Sequence, residues 1–339
     1  MTAALRIRSA GPGVTIQDAG RPGYLRYGVT PAGPMDAGAL AAANLALGAP
    51  PGAAAIEVSL GGVAIEAEGA AIGLAVAGGD FDLRLDGRPL PRACALALEP
   101  GAVLAIRAGR AGAWCYVAIA GRLDLPLALG SLATHARSGL GGLEGRGLAA
   151  GDRLAVADLV PPPRETVAIE APWLAEEAEP FRVILGPQDD RFTPEAIDTF
   201  LGEAWRLSPR GDRMAYRLEG PPLAHRDGHD IVSDGVALGA VQAPGDGMPF
   251  VLMADRQPTG GYPKIANVIG ADIGRLAQKR PGDAVRFRAV AIEQAVALRR
   301  ARHEAIAAGV ALRPLAPDLT PEFLLAANLI GGVADAKQG

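Results

Sequence analysis

Cysteine is nearly absent: Cys94 and Cys115 are the two in 339 residues. Without CxxC spacing they cannot form the disulfide framework of a small secreted scaffold, and both stand in apolar runs, where a thiol packs as a small hydrophobe. Lysine is almost as scarce, at Lys264, Lys279 and Lys337, so chemistry that needs an amine has three addresses. No dense stripe of one charge sign stands out, since 33 basic and 37 acidic residues leave a net charge of −4. With no basic stripe, no nucleic-acid partner is expected. The longest uncharged run, between Asp36 and Glu57, is broken by Gly48, Pro50, Pro51 and Gly52. It reads as a helix followed by a loop rather than a membrane span. The first residues, Met1-Thr-Ala-Ala-Leu-Arg-Ile-Arg8, have no apolar signal-peptide core, so a cytoplasmic protein away from membranes is expected.

What the chain has in excess is glycine (45) and proline (28), together more than a fifth of it, alongside 49% hydrophobic residues. Disorder is excluded by that apolar content, so the breakers imply many tight turns between short strands. Strand-like segments recur at 54–60, 63–67, 72–76, 81–85, 103–107 and 114–119, with Asp86-Gly87 as a hairpin signal. Such a series argues for an antiparallel barrel or sandwich rather than a βαβ sheet.

Helices interrupt this pattern. Asp36 can cap a helix over 37–47 with Gly48 at its end, and Thr193-Pro194 starts another. A third is expected over 291–308 and a last from Thr320-Pro321-Glu322 to Gly331-Gly332. Pro161-Pro162-Pro163 and the acids Glu176, Glu177 and Glu179 mark a linker. The expected organisation is a barrel-like domain at 1–160, a linker at 161–180, a second at 181–290, and a helical tail at 291–339.

Four loop-rich segments are denser in Gly, polar and charged residues than strand connections need: 11–23, 130–142, 186–214 and 233–264. In the last, Thr259-Gly260-Gly261 offers unobstructed backbone N–H groups to an anionic oxygen. Arg256 and Lys264 add positive charge, and Gln257 an amide pair suited to a lactam or urea. The same glycines also fit a plain hairpin turn with Lys264 on the surface. No Walker A or GxGxxG spacing is present. His225 and His229, with Asp227, Asp230 and Asp234 nearby, lie among turn residues without the HExxH pattern, and no metal is expected. Asp189-Asp190-Arg191, Asp212-Arg213 and Asp255-Arg256 fit buried acid–base pairs between loops.

Taken together, the motifs resemble the family of 5-oxoprolinase C subunits, which also includes biotin-dependent carboxyltransferases, allophanate hydrolase subunit 2 and KipA. They are Gly11-Pro-Gly13, Thr15-Ile-Gln-Asp-Ala-Gly-Arg-Pro-Gly-Tyr24, Gly33-Pro-Met-Asp36, Ala43-Asn-Leu45, Gly130-Ser131, Gly141-Gly142, Gly145-Arg146, Gly186-Pro-Gln-Asp-Asp-Arg-Phe192, Asp212-Arg-Met214, Ser233-Asp-Gly235, and Asp255-Arg-Gln257 with Thr259-Gly-Gly-Tyr-Pro-Lys264. Two departures are Pro258, where the family usually has Thr, and Leu132-Ala133, where Arg-Ser is common.

The resemblance implies a mainly β protein of two cyclophilin-like β-barrel domains with a few peripheral helices. It implies one component of an ATP-dependent amide hydrolase that opens 5-oxo-L-proline to L-glutamate, with a 5-oxoprolinase B-type partner and a separate A-type partner. ATP would be shared with or held by a partner. The alternatives are carboxyl transfer to urea or a related amide, with carboxybiotin arriving on another chain, and a non-enzymatic KipA-like regulator of a kinase-inhibitor partner. None of the three lysines lies in Met-Lys-Met, so no covalent biotin is expected here. The implied catalytic residues are Lys264, Arg256 and Asp18. The implied substrate contacts are Gln17, Arg21, Gln188, Arg213, Gln257, Thr259, Gly260, Gly261 and Tyr262, meeting across the domain boundary.

Overall fold

A strand of 17 residues, Val103–Ile119, organises the first half of the chain. In the computed structural model, which describes residues 3–174 and 180–315, it pairs along most of its length with Ile72–Leu85. Its other edge is shared: the early residues pair with Val63–Glu68 and the late ones with Ala55–Val58. The molecule is mainly β, and these strands belong to a twelve-stranded, nearly closed barrel sheet. Asp86 and Gly87, with φ of 49° and 82°, make the expected tight turn between Ile72–Leu85 and Arg88–Pro89.

The strands read as apolar runs because both faces are covered. Leu74, Val76, Cys115 and Val117 point into the barrel core. Their alternating neighbours Ala75, Ala77, Tyr116 and Ala118 belong to a second core, shared with Phe181, Phe200, Trp205 and Ile265. Between these layers lies the helix Ala37–Leu45, buried from Gly38 to Asn44, whose small residues let it sit close to the sheet. Asp36 caps it, accepting from the N–H groups of Gly38 and Ala39 at 3.0 and 3.1 Å.

Residues 181–289 build an eight-stranded sheet in which Phe181–Leu185 runs parallel to Phe287–Ala289 while the other pairs are antiparallel. Thr193 caps the helix Pro194–Gly202 as its sequence implies, and Ile292–Ala307 is the longest helix among the described residues. Two findings go beyond the sequence reading. Val167–Glu170, inside the proline-rich stretch, is a strand of the first sheet, and Ala311–Pro314 returns from far along the chain to pair with it. Pairing partners about 140 residues apart leave no local signal, so neither short segment could be placed from its own pattern. The acids Glu176, Glu177 and Glu179 and the helix expected from Thr320 lie outside the described residues.

Polar contacts tie the halves together. Gln278 accepts from the N–H groups of Ala113 and Trp114 and donates to Asp36 at 2.9 Å. A side chain at Gly112, whose φ is +80°, would stand 2.8 Å from the Gln278 oxygen and 2.4 Å from Gly79 Cα, so glycine is required there. Trp114 Nε1 donates to the Tyr216 hydroxyl at 2.9 Å, which donates onward to the Ala277 carbonyl. Arg280 adds bonds to the Gly109 and Gly112 carbonyls at 3.0 and 2.6 Å. Buried Arg213, described below, makes the most extensive of these links.

A further ion pair closes the loop leading to the strand Arg153–Ala157. Arg146 holds Asp152 in a two-pronged contact at 2.8 and 2.9 Å, and Asp152 also accepts from the Ala149 N–H. The Arg146 bond keeps the Asp152 carboxyl below its ordinary range, against a smaller opposing effect of burial. A depressed folded-state value contributes stability above the unfolded pKa and loses it as pH falls through the folded one. Asp152→Asn should therefore lower stability at pH 7 by about 1 kcal/mol and flatten the acid limb below roughly pH 4, as read by urea unfolding across pH. An unchanged acid limb would remove Asp152 from this role.

Candidate functional site

The residues singled out in the sequence fall in three places. The first lies under a small ribbon in the second half, where Asp234–Gly235 pairs with Thr259–Gly260. Beneath it, Lys264 stands directly opposite Gln242 on neighbouring strands, so both side chains leave the same face of the sheet. Lys264, 2% exposed, donates to Asp234 at 2.9 Å and to the Gly235 carbonyl at 3.5 Å. That bond, with the Gly235 N–H, keeps the Asp234 carboxyl below its ordinary range. Gln188 joins the same group, accepting from the Lys264 N–H at 3.2 Å and donating to Asp234 at 3.4 Å. Arg256 reaches the next residue, donating from Nε to the Val236 carbonyl at 3.1 Å.

The two cations thus grip three consecutive residues, but they differ in charge balance. Lys264 has a carboxylate partner, whereas buried Arg256 has none among the described residues, and burial lowers its pKa. A guanidinium held this way favours an incoming anion or polarised carbonyl oxygen. The ribbon keeps Thr259 and Tyr262 exposed, while the Gly261 and Pro258 carbonyls accept from Ile231 and Val236.

The second place is a knot on the first half that holds Gln17, Asp18 and Arg21. Gln17 is fully buried and donates to Thr15 and to the Thr134 carbonyl, both at 3.0 Å. Asp18 accepts from the Gly20 N–H, the Ser131 hydroxyl and the Leu132 N–H at 2.8, 2.6 and 2.6 Å. Its oxygens therefore clamp the loop after Gly130. Arg21, 1% exposed, donates to the carbonyls of Ala128 and Ala133, and burial lowers its pKa against the attraction of Asp18 and Asp255. Here Leu132 and Ala133, the family departures, contribute through their backbone atoms.

The third place joins the halves. Arg213 donates to both oxygens of Asp255 at 2.8 and 2.9 Å, to the Gly33 carbonyl at 2.7 Å, and to Glu57 of the first half. Burial works against this charge, but Glu57 and Asp255 outweigh it and hold the guanidinium above its ordinary value. Glu57 also accepts from the Tyr116 hydroxyl at 2.7 Å and the Met35 N–H at 2.9 Å. A cleft of about 720 Å³ opens beside this bridge, walled by Trp114, Thr15 and Thr134 on one side and Met214, Tyr216 and Leu207 on the other. Arg213 and Asp255 line it as well.

The structure thus brings Lys264, Gln188, Arg256, Thr259 and Gly260 together under one ribbon. It sets Gln17, Asp18 and Arg21 in a separate knot, which reaches toward the second half through the field between Arg21 and Asp255. The motifs read from the sequence do not include Glu57 and Tyr116, which the structure places at this bridge. Their signal was one carboxylate in the apolar run 54–60, the only charged residue there. His225 bonds the Ala243 carbonyl at 3.1 Å and packs its ring on Phe192.

Comparison with known proteins adds to this geometry. A family model described as "Carboxyltransferase domain, subdomain A and B" matches residues 27–289. The chain is 37% identical to the 5-oxoprolinase C subunit of Haemophilus influenzae over 287 residues, covering 84% of this chain and 91% of that protein. With the 5-oxoprolinase C subunit of Escherichia coli the identity is 35% over 296 residues, covering 87% and 94%. The solved urea amidolyase of K. lactis superposes with a TM-score of 0.83 at 27% identity, over 89% of this chain and 20% of that one. The chain therefore spans about a fifth of that large protein but nearly the whole of the two bacterial subunits. From both its sequence and its fold, the chain belongs to the carboxyltransferase-domain family that contains the 5-oxoprolinase C subunits.

Proposed function

We propose that this chain is the C subunit of an ATP-dependent 5-oxoprolinase, acting in a complex that opens 5-oxo-L-proline to L-glutamate. One observation carries the reading: the identity to 5-oxoprolinase C subunits extends over more than nine-tenths of their length. A B-type 5-oxoprolinase protein is the expected direct partner, with a separate A-type one. The name of a C subunit implies companions, and this chain carries no Walker A spacing.

The lactam is a resonance-stabilised amide, so its oxygen must be activated before the ring opens. Transfer of the γ-phosphoryl group of ATP to that oxygen, with ADP released, makes the ring carbon electrophilic. Water adds to that carbon, the ring C–N bond breaks to free the amine, and a second water hydrolyses the resulting acyl phosphate to release phosphate. A positive, dry pocket stabilises the charge that develops on the oxygen. In this reading Arg256 supplies the positive charge, with Lys264 beside it and the Thr259-Gly260-Gly261 backbone facing the reacting oxygen. Gln188 and Gln257 contribute amide groups, and Tyr262 borders the ribbon. The same ribbon does not fit a triphosphate, because the Lys264 charge is already paired with Asp234. We therefore assign ATP to a partner chain. Asp18 and Arg21 shape the neighbouring loop, and Gln17 fixes it to Thr134. Arg213 holds the two halves at the spacing the substrate needs.

A second reading, carboxyl transfer to urea or a similar amide with biotin on another chain, draws on the likeness to urea amidolyase. It predicts urea-dependent consumption of carboxybiotin in place of lactam-dependent ATP hydrolysis.

The isolated chain should show no 5-oxoproline-dependent ATP hydrolysis, and activity should appear on reconstitution with its A-type and B-type partners. Within that complex, Arg256→Met at matched thermal stability should lower turnover about a hundredfold, equivalent to ~2–4 kcal/mol of lost transition-state stabilisation. Lys264→Met should lower it in the same direction. Wild-type turnover in both variants would remove the ribbon from the mechanism.

A further inference from the structure

Gln242, like Gln17 of the first half, is a fully buried carboxamide whose oxygen is unused among the described residues. Its Nε2 donates to the Tyr262 carbonyl at 2.9 Å, which fixes the orientation of the amide and leaves Oε1 as the free end. That oxygen accepts from no donor among the described residues, and the same is true of the Gln257 Oε1 on the segment that enters the ribbon. Buried acceptors of this kind are ordinarily satisfied, so two along one ribbon call for an explanation.

Their surroundings narrow the ligand. Gln242 is the register partner of Lys264, and Gly260 of the ribbon lies directly over its amide. A Cβ on Gly260 would stand 2.8 Å from Nε2 and 3.4 Å from Oε1, so a side chain there would push the carboxamide end aside. Val236 would meet the same Cβ at 3.2 Å, and the Val236 carbonyl is the one held by Arg256. Val236 thus lies beside both a free acceptor, Gln242 Oε1, and a buried cation, Arg256, that has no carboxylate partner among the described residues. An acceptor beside a cation is the complement of an –NH–C(=O)– group, whose N–H donates while its oxygen carries negative charge.

We infer that Gln242 is a specificity-determining residue, its Oε1 receiving the N–H of a compact amide whose carbonyl oxygen faces Arg256. This rests on the reading of the ribbon as the amide site and names the group that selects an amide over an isosteric ester. A lactam and urea share that chemistry, and the test separates them.

The test uses the chain assembled with its partner subunits. Binding of 5-oxo-L-proline, of the lactone with oxygen in place of the ring N–H, and of urea is measured by calorimetry. We expect wild type to prefer lactam to lactone by about tenfold to a hundredfold, the effect of leaving one buried acceptor unpaired. Gln242→Met should bring that ratio close to one by weakening the lactam alone. Gly260→Ala, which crowds the same carboxamide, should shift the ratio in the same direction and serves if the first variant does not fold. An unchanged ratio in either folded variant overturns the inference, as does equal binding of lactam and lactone by wild type or binding of neither amide. If urea alone binds, and Gln242→Met abolishes it, the N–H contact stands and the lactam reading falls.

Discussion

One buried guanidinium makes the most extensive polar link between the two halves of this molecule. Arg213 comes from the second half, and its bonds to Glu57 and Gly33 of the first are made in the same buried setting as its pairing with Asp255. A charge removed from water is tolerated only when it is well paired, and all three Arg213 nitrogens are engaged, drawing three separate segments onto one side chain. Glu57 is held in turn by Tyr116 and Met35, so the constraint passes into the long strand and the start of the Ala37–Leu45 helix. Asp36 extends it, since its N–H donates to the Tyr116 hydroxyl and its carboxylate receives Gln278 from the other side.

The consequence for function is positional. Asp255 is fixed by Arg213 and is followed immediately by Arg256, the buried cation that reaches the ribbon. The inter-half bridge and the ribbon are therefore adjacent on one short segment, and the cleft beside the bridge opens next to it. The first-half knot stays separate, with Arg21 near enough to Asp255 to feel its charge. Strands carry Gln242 and Lys264, while the rest of the site proposed above is left to loops and a ribbon of two residue pairs.

Much of this was legible in the sequence, and the exceptions have physical reasons. Caps at Asp36 and Thr193 and the turn at Asp86-Gly87 are local chemistry, readable within four residues. Arg256, Lys264 and the glycines between them stood out because charged side chains beside consecutive glycines are an unusual local combination. Glu57 did not, because a lone carboxylate in an apolar strand acquires meaning only from Tyr116 across the ladder and Arg213 much further along the chain. Gln242 lay in a segment already marked as dense in polar groups, yet its unused oxygen depends on a register that no single segment encodes. The strand Ala311–Pro314 was hidden for the same reason, being short and paired only through a distant partner.

The Glu57–Arg213 contact couples the two halves. A double-mutant cycle with Glu57→Gln, Arg213→Met and the double variant, read by equilibrium unfolding, measures that coupling directly. An interaction energy of about 2–3 kcal/mol is expected, with each single variant strongly destabilised because it leaves a buried charge short of a partner. Additive effects, with no interaction energy beyond about 0.5 kcal/mol, would contradict it.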